Sequence, residues 1–473
     1  MLEAAPQQNP NRRMAIRESS YGYWQSYRGF LWVAAGAAIG IGNIARLPYL
    51  AGEYGGVIFL LAYFMFLGLV SWPLLVAEWM IGRWTRENLI SGLGRLATAA
   101  RANRAWVLIG TLSLAAAVLV LSYYSVIAGW SMAYGLRAAG GVLGELDETG
   151  VQRMFFALAQ DPERSLAWHT IFMVTVCMVV ASGVRDGIER AASYLVPTAI
   201  VLMGGVFAYA YTSGDTQSAF LHLFAPDWSR FGWRGLMEAL HQAFFTMGLG
   251  LGAMVAYGSY LPARAPLLRL AAGVVVLDTV FSLVAGSALY AMIFAAGLDP
   301  APGLTVLFQV FPMALSKLSG GENVAVIVYG VMFLITLTAA TALMEPAVRY
   351  LVERMRITRL AAATTCATLI WFLGLGTLLS FNIMQSVEVL GRNFFDWLQW
   401  LTGRLLLPLV GLLLCVFVGR ILSGDLVDEM RGEGAKRAQK VWLLLLRFPV
   451  RVSLIALLLY CIGVIDFLVG LWS

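Results

Sequence analysis

The sequence predicts an all-α, polytopic membrane protein with eleven membrane-spanning helices. Of its 473 residues, 60% are hydrophobic and only 13% are charged, and the mean hydropathy is +0.76. Soluble domains are closer to half hydrophobic and a quarter charged, so most of this surface cannot face water. The hydrophobic residues also form long runs, and a helix that spans a membrane needs about 20 of them. This composition excludes a soluble globular enzyme, a disordered chain and a collagen-like chain.

Eleven hydrophobic runs define the expected helices in chain order. They are 30–54, 57–82, 105–137, 168–183, 188–211, 235–259, 268–296, 323–352, 360–381, 394–419 and 442–470. Residues 1–29 form a polar segment before them, and residues 420–441 form a polar loop before the last helix, which lies in 442–473. The acidic residues 138–167 are expected to be a folded loop, and the Gly- and Pro-rich residues 297–322 a shorter loop.

The distribution of basic residues predicts the orientation of the chain. If the N-terminus is cytoplasmic, the cytoplasmic segments with their adjoining helix ends contain 24 of the 33 Lys and Arg residues, and the outer segments contain 7. Cytoplasmic loops of membrane proteins carry the excess of Lys and Arg. We therefore expect a multi-pass protein of the cell (inner) membrane, with segment 1–29 and loop 420–441 in the cytoplasm and the C-terminus outside. The other two basic residues, Arg46 and Arg404, lie within runs.

The chain lacks the residue spacings that enzymes, metal sites and nucleotide-driven pumps need. Its cysteines lie in hydrophobic runs without a CxxC spacing, which favours buried residues without ligands: Cys177, Cys366, Cys415 and Cys461. The histidines form no HExxH motif and are expected at the surface or in loops: His169, His222 and His241. No GxxxxGK[ST] loop is present, and the basic residues form no continuous face. We therefore expect neither catalysis nor nucleic-acid binding.

Two of the expected helices contain residues that interrupt a helix. In the first run, three glycines between residues 36 and 42 precede Asn43 and Arg46. Glycine weakens a helix, and amide and guanidinium groups at membrane depth are costly and usually functional. In the sixth run, glycines alternate over residues 248–252. We expect both helices to be broken, although close helix packing is an alternative use of small residues.

The two broken helices occupy corresponding positions, first and sixth, in two halves of five runs each. Paired interrupted helices are typical of transporters that are built from inverted repeats and bind their substrate near the membrane midplane. In such sites, unwound carbonyl groups bind a cation, and half-helix N-termini hold a carboxylate. An amino acid carries a carboxylate and an ammonium group and fits this arrangement.

In combination, these residues resemble one family, the neurotransmitter:sodium symporters, and in particular bacterial amino-acid transporters of the leucine-transporter (LeuT) fold. The resemblance covers most of the chain, from about Trp24 to about Gly419. It depends on Gly40-Ile41-Gly42-Asn43 with Arg46 and Pro48, Glu53-Tyr54-Gly55-Gly56, Glu78, Gly82-Arg83, Tyr123-Tyr124, Gly187-Ile188-Glu189-Arg190, Gln242 to Gly252, and Phe394-Phe395-Asp396 with Pro408. It implies a 5+5 inverted repeat, 30–211 and 235–419, plus one extra helix. It also implies sodium-coupled symport of an amino acid by alternating access.

The resemblance implies two sodium sites with oxygen ligands, which suit a small hard cation. The first would use the Ala38 carbonyl with the side chains of Asn43, Thr246 and Asp278. The second would use carbonyl groups of Gly36, Ile39 and Ile335 with the Thr338 hydroxyl. Ala339 stands where the family usually has a second hydroxyl, so the second site lacks a ligand and one or two sodium ions are expected.

The resemblance also predicts that chloride is not required. Asp278 stands where chloride-dependent relatives carry an amide, and a fixed carboxylate can replace the charge of the anion. Other residues of the chloride pocket are nevertheless matched: Tyr63, Gln242, Thr246 and Ser282.

The substrate-binding residues implied by the resemblance come from both broken helices and from the third and eighth runs. They are Ala38, Ile39, Gly40, Gly42, Val120, Tyr124, Phe245, Thr246, Gly248, Leu251, Ala340 and Leu343. Tyr124 would donate its hydroxyl to the substrate carboxylate, and the Phe245 ring would close over the substrate. Val120, Gly248 and Ala340 are small, which favours a bulky hydrophobic or aromatic neutral L-amino acid held by the burial of its side chain.

Gate residues are implied at both ends of the site. On the outside, Arg46 would pair with Gln399, or with Asp396 instead, because the family carries an Asp at the Gln399 position. On the inside, the gate would contain Trp24, Ser259, Tyr260 and Glu353, with Arg17 as the N-terminal arginine. Gly187 and Pro197 have the spacing with which relatives unwind the fifth helix, although a proline in a membrane helix is otherwise often only a kink.

Several alternatives remain at the level of the sequence. Because of Ala339, a proton-coupled or uncoupled amino-acid carrier on the same fold is the second hypothesis. A substrate-binding channel or sensor is a third, and counterflow of labelled substrate distinguishes it from a carrier. The expected partners are the amino acid, sodium and the lipid bilayer, with the protein as a monomer or weak homodimer.

Overall fold

The computed structural model describes residues 22–143, 148–422, 424 and 436–470. Within these ranges the chain is helical, and the only strand-like pairing is an isolated bridge between Val389 and Arg392. Arg17, most of segment 1–29, and residues 425–435 of the expected cytoplasmic loop lie outside the described residues, as do residues 144–147 and 471–473.

The described helices follow one another with short connections. They are α1 (Tyr27–Ala38), α2 (Ile41–Glu53), α3 (Val57–Thr85), α4 (Leu89–Ala99), α5 (Arg104–Ala139), α6 (Glu148–Ala159), α7 (Pro162–Ala181), α8 (Val184–Ser213), α9 (Thr216–Phe224), α10 (Trp233–Thr246), α11 (Ala253–Gly258), α12 (Leu267–Ala295), α13 (Gly303–Ser316), α14 (Gly321–Met355), α15 (Arg359–Leu379), α16 (Phe394–Ile421), α17 (Ala438–Cys461) and α18 (Val464–Gly470).

Nine helices in the described part of the chain are long and apolar enough to cross a membrane. They are α3, α5, α7, α8, α12, α14, α15, α16 and α17. Helices α1 and α2 together form a tenth candidate, bent by 59° at their junction. The sixth run contains α10 and α11, and each of these is shorter than a spanning helix. The total of eleven spans therefore stays a prediction.

Two connections that were expected to be loops contain helices. Residues 138–167 contain α6, and residues 297–322 contain α13. These two helices pack against each other, and the rings of Phe155 and Phe308 are stacked with their centroids 6.3 Å apart. Both helices are short, and this shared apolar contact stabilises them where their individual sequences predict only a loop.

The broken helices lie at the centre of the helix packing. Helix α14 packs along α5 and α8, and α1 packs against α8, α12 and α14. Helix α2 contacts α10 and α12, while α11 contacts α3 and α14. Because α1, α2, α10 and α11 meet the long helices on several sides, the ends at their two breaks are enclosed by protein. Non-helical backbone at membrane depth is tolerated only in such surroundings.

Candidate functional site

The first helix break lies at Ile39 and Gly40, where the backbone is extended. Their φ and ψ angles are −70° and 117° for Ile39, and −143° and −169° for Gly40. The Asn43 side chain fixes this break, because its Oδ1 accepts a hydrogen bond of 2.8 Å from the Gly40 N–H. The Asn43 N–H in turn donates to the Gly40 carbonyl over 3.1 Å. The interruption that the glycines predict is therefore present.

The second break lies between Thr246 and Ala253. Gly248, Gly250 and Gly252 have positive φ angles of 61°, 82° and 74°, which residues with a Cβ rarely adopt. The Gly250 N–H donates a 2.7 Å hydrogen bond to Oε1 of Glu78, a fully buried side chain of α3. Unwound backbone needs such partners inside a membrane protein, and Glu78 supplies one.

A buried polar cluster joins the two breaks. Nδ2 of Asn43 lies 2.6 Å from Oδ1 of Asp278 and 3.3 Å from the Thr246 hydroxyl. The Thr246 hydroxyl donates to the Asp278 carboxylate at 3.1 Å from both oxygens. Asn43, Thr246 and Asp278 are exposed by 2%, 6% and 0%. Three residues predicted to bind the first sodium ion are therefore in contact, although they lie on α2, α10 and α12.

Two further residues of the expected chloride pocket contact this cluster. The Tyr63 hydroxyl is 3.5 Å from Oδ2 of Asp278, and the Ser282 hydroxyl is 2.7 Å from Nδ2 of Asn43. Gln242 is buried with them, and its Oε1 has no hydrogen-bond partner. The cluster therefore contains one carboxylate among neutral oxygen groups.

This chemistry suits a single small monovalent cation. One carboxylate balances one positive charge, and the hydroxyl and amide groups offer hard oxygen atoms. In the described part of the chain, no three His, Cys, Asp or Glu residues form a group that could hold a metal ion. The composition of the cluster thus favours a light alkali cation over a transition metal.

The residues of the second expected ion site meet where α1 crosses α14. A Cβ added at Gly36 would lie 3.0 Å from the Thr338 hydroxyl, so only glycine allows α1 to approach α14 this closely. The Thr338 hydroxyl donates a 2.9 Å hydrogen bond to the Ile335 carbonyl. Gly36, Ile335 and Thr338 therefore lie together, while Ala339 contributes no polar side chain beside them.

The residues predicted to hold a carboxylate lie at the N-terminal end of α2. The first amide groups of a helix have no partner within the helix, and they point toward its N-terminus. The Tyr124 hydroxyl lies beside this end, 3.3 Å from the position of a Cβ on Gly40 and next to the backbone of Ile41, and it has no side-chain hydrogen-bond partner among the described residues. A Cβ on Gly42 would meet no atom within 4 Å, so there is open space beside the backbone at this point.

Phe245, on α10, contacts residues from other helices. Its ring is 3.7 Å from the position of a Cβ on Gly403, and the Arg46 guanidinium lies 5.8 Å from the ring centroid. Gly248 lies close to Leu251 and to the carbonyl of Ala37. The remaining predicted pocket residues are buried on α5 and α14, which pack against each other: Val120, Ala340 and Leu343.

At the end of the molecule near Trp24, the predicted gate residues form one closed cluster. The backbone N–H of Trp24 donates to the Tyr260 carbonyl over 3.1 Å, and the rings of the two residues meet edge to face with their centroids 5.4 Å apart. Ser259 hydrogen-bonds through its hydroxyl to Arg349, which also donates to Glu353 over 2.7 Å. Trp24, Ser259 and Tyr260 are buried. This end of the molecule is therefore closed.

The chain matches the sequence profile of the Sodium:neurotransmitter symporter family over residues 21–143 and 153–467. The chain belongs to this family. It is similar to a sodium-dependent transporter of Bacillus subtilis, YhdH, with 34% identity over 94% of this chain and 98% of the relative. A sodium-dependent transporter of Haemophilus influenzae is 26% identical over 92% and 96% of the two chains. The crystal structure of MhsT in complex with L-phenylalanine matches with a TM-score of 0.85 and 32% identity, covering 93% of this chain and 99% of that one.

These similarities confirm part of what the sequence predicts. The protein is a multi-pass, sodium-coupled membrane transporter of the sodium:neurotransmitter symporter family, and its fold is the LeuT fold of MhsT. Two helices of this transporter are broken. The first is the bent pair α1–α2, and the second is the sixth run, which is divided into α10 and α11.

The structure gives Arg46 partners other than those expected, and its pairing with Gln399 or Asp396 stays a prediction. Its Nη2 lies 3.0 Å from Oε2 of Glu238 and 2.9 Å from Nδ1 of His241, and it forms no described bond to Gln399 or Asp396. Helix α2 packs against α10, so the Arg46 side chain meets the face of α10 that carries Glu238 and His241. Gln399 and Asp396, on α16, are exposed.

The histidines are also placed differently from the expectation of surface or loop positions. His241 is 5% exposed and His169 is fully buried, while His222 is partly buried on α9. The sequence contains a pattern that indicates the position of His241. Polar and aromatic residues recur at helical spacing and share one face of α10: Glu238, His241, Gln242 and Phe245.

Three arginines near the Trp24 end were missed by the sequence reasoning. Arg359 forms two hydrogen bonds, of 3.1 and 2.5 Å, with the buried carboxylate of Glu345, which also accepts one from the Tyr260 hydroxyl. Arg86 donates to the Ser259 carbonyl over 2.6 Å, and Arg349 binds Ser259 and Glu353. In the sequence they resemble the other basic residues that mark a cytoplasmic helix end.

Helix α8 is intact around the two residues that were expected to allow unwinding. Gly187 lies in a short π-helical segment, Val184–Glu189, and Pro197 lies inside the following α-helix. Glu189 accepts 3.0 Å hydrogen bonds from the Gln25 N–H, and Arg185 donates to the Tyr23 carbonyl over 2.7 Å. The start of α8 thus binds the backbone that leads into α1, and its unwinding stays a prediction.

Proposed function

We propose that this transporter is a symporter that moves one neutral L-amino acid with a bulky hydrophobic or aromatic side chain together with sodium. The observation that carries the proposal is the buried contact of Asn43, Thr246 and Asp278 between two helix breaks. This cluster lies beside the start of α2, where Ile41 and Gly42 present the first amide groups of the helix. One region of the molecule thus offers a cation site and an anion site, which is what a sodium ion and an amino acid require.

The first sodium ion is bound by the Ala38 carbonyl, Asn43, Thr246 and Asp278. A second ion is bound by carbonyl groups of Gly36, Ile39 and Ile335 with the Thr338 hydroxyl. Because the Thr338 hydroxyl already donates to the Ile335 carbonyl and Ala339 adds no oxygen, the second site is the weaker one.

The amino acid binds between the breaks with its carboxylate at the start of α2. There it accepts hydrogen bonds from the amide groups of Ile41 and Gly42 and from the Tyr124 hydroxyl, since a helix N-terminus stabilises an anion. Its ammonium group lies near carbonyl groups freed at the second break. The side chain extends toward Val120, Ala340 and Leu343, which provide apolar area and no charge. MhsT, which is similar to this chain over most of its length, binds L-phenylalanine.

Transport is independent of chloride because Asp278 supplies the negative charge. The Tyr63 hydroxyl is 3.5 Å from its carboxylate and Ser282 contacts the adjoining Asn43 amide, so a chloride ion bound beside them would lie against a like charge. Two anions buried in the same cluster repel each other strongly because the surrounding protein screens charge poorly.

Transport follows alternating access, with the Trp24 end cytoplasmic and the Arg46 end outside. The described contacts close the cytoplasmic end through Trp24, Tyr260 and Glu353 and their partners. Opening of that end requires α1 to leave α8, and unwinding between Gly187 and Pro197 frees the backbone that Glu189 now holds. The transporter acts as a monomer or weak homodimer in the inner membrane.

Uptake of labelled L-phenylalanine into proteoliposomes tests this proposal. We expect uptake with an inward sodium gradient, competition by leucine, methionine and tryptophan, and no loss of uptake when gluconate replaces chloride. Aspartate and lysine should not compete. Equal uptake in choline would refute sodium symport, and failure of every bulky neutral amino acid to compete would refute the substrate class.

A proton-coupled or uncoupled carrier is the second candidate, favoured by the missing hydroxyl at Ala339. It predicts uptake driven by an inward proton gradient alone, or uptake that no gradient accelerates. A channel or substrate sensor differs from both, because only a carrier exchanges labelled for unlabelled substrate in counterflow.

A further inference from the structure

We propose that His241, together with Glu238 and Tyr460, positions Arg46 against the Phe245 ring and so holds the outer lid of the substrate site. This assembly, which we call the outer latch, consists of Arg46, Glu238, His241, Phe245 and Tyr460. The inference rests on the proposed function in one respect, since it takes Phe245 to close over the substrate site.

The outer latch is a continuous chain of contacts around one guanidinium group. Nη2 of Arg46 lies 3.0 Å from the Glu238 carboxylate and 2.9 Å from Nδ1 of His241, and its Cζ lies 5.8 Å from the Phe245 ring centroid. The side chains of Glu238 and His241 are 10% and 6% exposed, whereas that of Arg46 is 30% exposed. The buried pair therefore forms a fixed support, and the arginine lies between this support and the opening.

The contacts fix the protonation state of His241. Arginine carries only donors, so Nδ1 of the imidazole must be an acceptor in order to bind Arg46. The hydrogen then lies on Nε2, which is 3.3 Å from the Gly403 carbonyl of α16. A neutral ring with this tautomer satisfies both contacts at once, and it connects the arginine of α2 to α16.

Glu238 is held from the opposite side by α17. Its Oε1 accepts a 2.8 Å hydrogen bond from the Tyr460 hydroxyl, while its Oε2 faces Arg46. Because the two carboxylate oxygens have separate partners, the group cannot rotate away from Arg46 without losing one of them. The outer latch thus uses α10, α16 and α17 to place an arginine that makes no described bond to Gln399 or Asp396.

Charged and titratable groups from each neighbouring helix face His241. They are Arg46 on α2, Glu238 on α10 and Arg404 on α16, while Tyr460 and Cys461 on α17 lie near Glu238. A proton added at Nδ1 removes the acceptor that Arg46 uses and places two positive groups side by side. We therefore expect acid to release Arg46 from the ring and loosen the lid, because Glu238 alone cannot keep both cations in their present positions.

Two substitutions of His241 distinguish the effect of its hydrogen bonds on Arg46 from the effect of the size of its ring. His241→Gln keeps an acceptor for Arg46 and a donor for the Gly403 carbonyl but cannot take up a proton, whereas His241→Phe keeps the ring and loses both bonds. For the wild type we expect KM for the amino acid to rise about tenfold between pH 7.5 and about pH 4.5, with kcat changed less than twofold, because burial beside Arg46 disfavours protonation of the ring at milder acidity. His241→Gln should have the low KM at both pH values, and His241→Phe the high KM at both. A wild-type KM and pH profile in His241→Phe would overturn the proposal.

Tyr460→Phe tests the support from α17. It removes a single hydroxyl and should raise KM about threefold to tenfold without changing kcat. Tyr290→Phe is the matched control, because the Tyr290 hydroxyl is buried and has no hydrogen-bond partner. An equal effect of both substitutions would refute a specific role of Tyr460.

A readout that needs no substrate separates this inference from the proposed function. A cysteine introduced at Val120, which the proposed function places in the substrate site, is labelled with a membrane-impermeant thiol reagent in a variant whose four native cysteines are replaced by alanine. We expect His241→Phe to increase the labelling rate about tenfold and His241→Gln to leave it unchanged. If labelling follows this pattern while no amino acid is transported, only the proposed function fails. Unchanged labelling in a protein that transports amino acids refutes the outer latch.

Discussion

The ion pair of Glu345 and Arg359 gives a quantitative prediction about stability. The Glu345 side chain is fully buried, and Arg359 is 18% exposed. Arg359→Met leaves the carboxylate with the Tyr260 hydroxyl as its remaining described hydrogen-bond partner and with Arg349 as a more distant positive charge, and breaking a buried ion pair in this way costs about 3–5 kcal/mol. Glu345→Met costs less, about 2–3 kcal/mol, because Arg359 reaches solvent in part and still donates to the Val180 carbonyl.

The double substitution Glu345→Met with Arg359→Met should be less harmful than the sum of the two single substitutions. Once both charges are absent, the cost falls to about 1–2 kcal/mol, which implies a coupling free energy of about 4–6 kcal/mol between the two residues. The measurement is the apparent Tm of the detergent-solubilised transporter at one fixed heating rate, since unfolding of such proteins is often irreversible. The order of Tm should be wild type, double variant, Glu345→Met, then Arg359→Met.

Arg190→Met is the matched control. Arg190 also pairs with a carboxylate, that of Asp186, but the two side chains are 64% and 68% exposed. Exposed pairs contribute little to stability, so Tm should not change measurably. Strictly additive losses in the Glu345 and Arg359 variants would refute the reasoning, because they would show that the two charges do not depend on each other.

Three further predictions concern the ion, the acid response and the inner opening. Asp278→Asn should lower the apparent sodium affinity at least tenfold in sodium-dependent substrate binding, and an unchanged sodium dependence would remove this carboxylate from the site. Burial and the nearby Arg230 lower the pKa of His222, on α9 between two spans, from 6.5 to about 4. Between these two pH values the unfolded chain binds a proton at His222 that the folded chain does not bind. The free energy of unfolding should therefore fall as pH drops from about 6.5 to about 4, and His222→Gln should make Tm less sensitive to acid over that range. Pro197→Ala should slow substrate release to the cytoplasmic side and leave equilibrium substrate binding unchanged, whereas wild-type release rates would favour a simple kink.

The membrane fold and the helix breaks could be predicted from the sequence because they depend on local composition. Hydrophobic runs of about 20 residues or more match the length that a membrane-spanning helix needs. Glycines at positions 248, 250 and 252 predict the second break, since each takes a positive φ angle. The contact of Asn43 with Asp278 was predicted only through the family resemblance, because 235 residues separate the two along the chain.

The partner of Arg46 could not be predicted, because it depends on how two helices are rotated against each other. Glu238 and Gln399 both lie within reach of α2 in a helix bundle, and only the packing of α2 on α10 decides between them. A similar reason applies to α6 and α13. Each has too few residues to be helical on its own propensity, and their mutual contact stabilises the helices.

The Asn43 side chain has two ends with different partners, and this arrangement links ion binding to the shape of the helix break. Its oxygen accepts from the Gly40 N–H, and its nitrogen lies against the Asp278 carboxylate. A cation attracted by Asp278 must compete with that nitrogen, and the amide group has to turn or shift before its oxygen can face the ion. The same movement alters the hydrogen bond that defines the first break, beside the amide groups of α2. If Asp278 binds the ion as proposed, arrival of the ion and reshaping of the proposed substrate site are a single step, and by thermodynamic reciprocity any substrate that favours the reshaped break must also retain the ion more tightly.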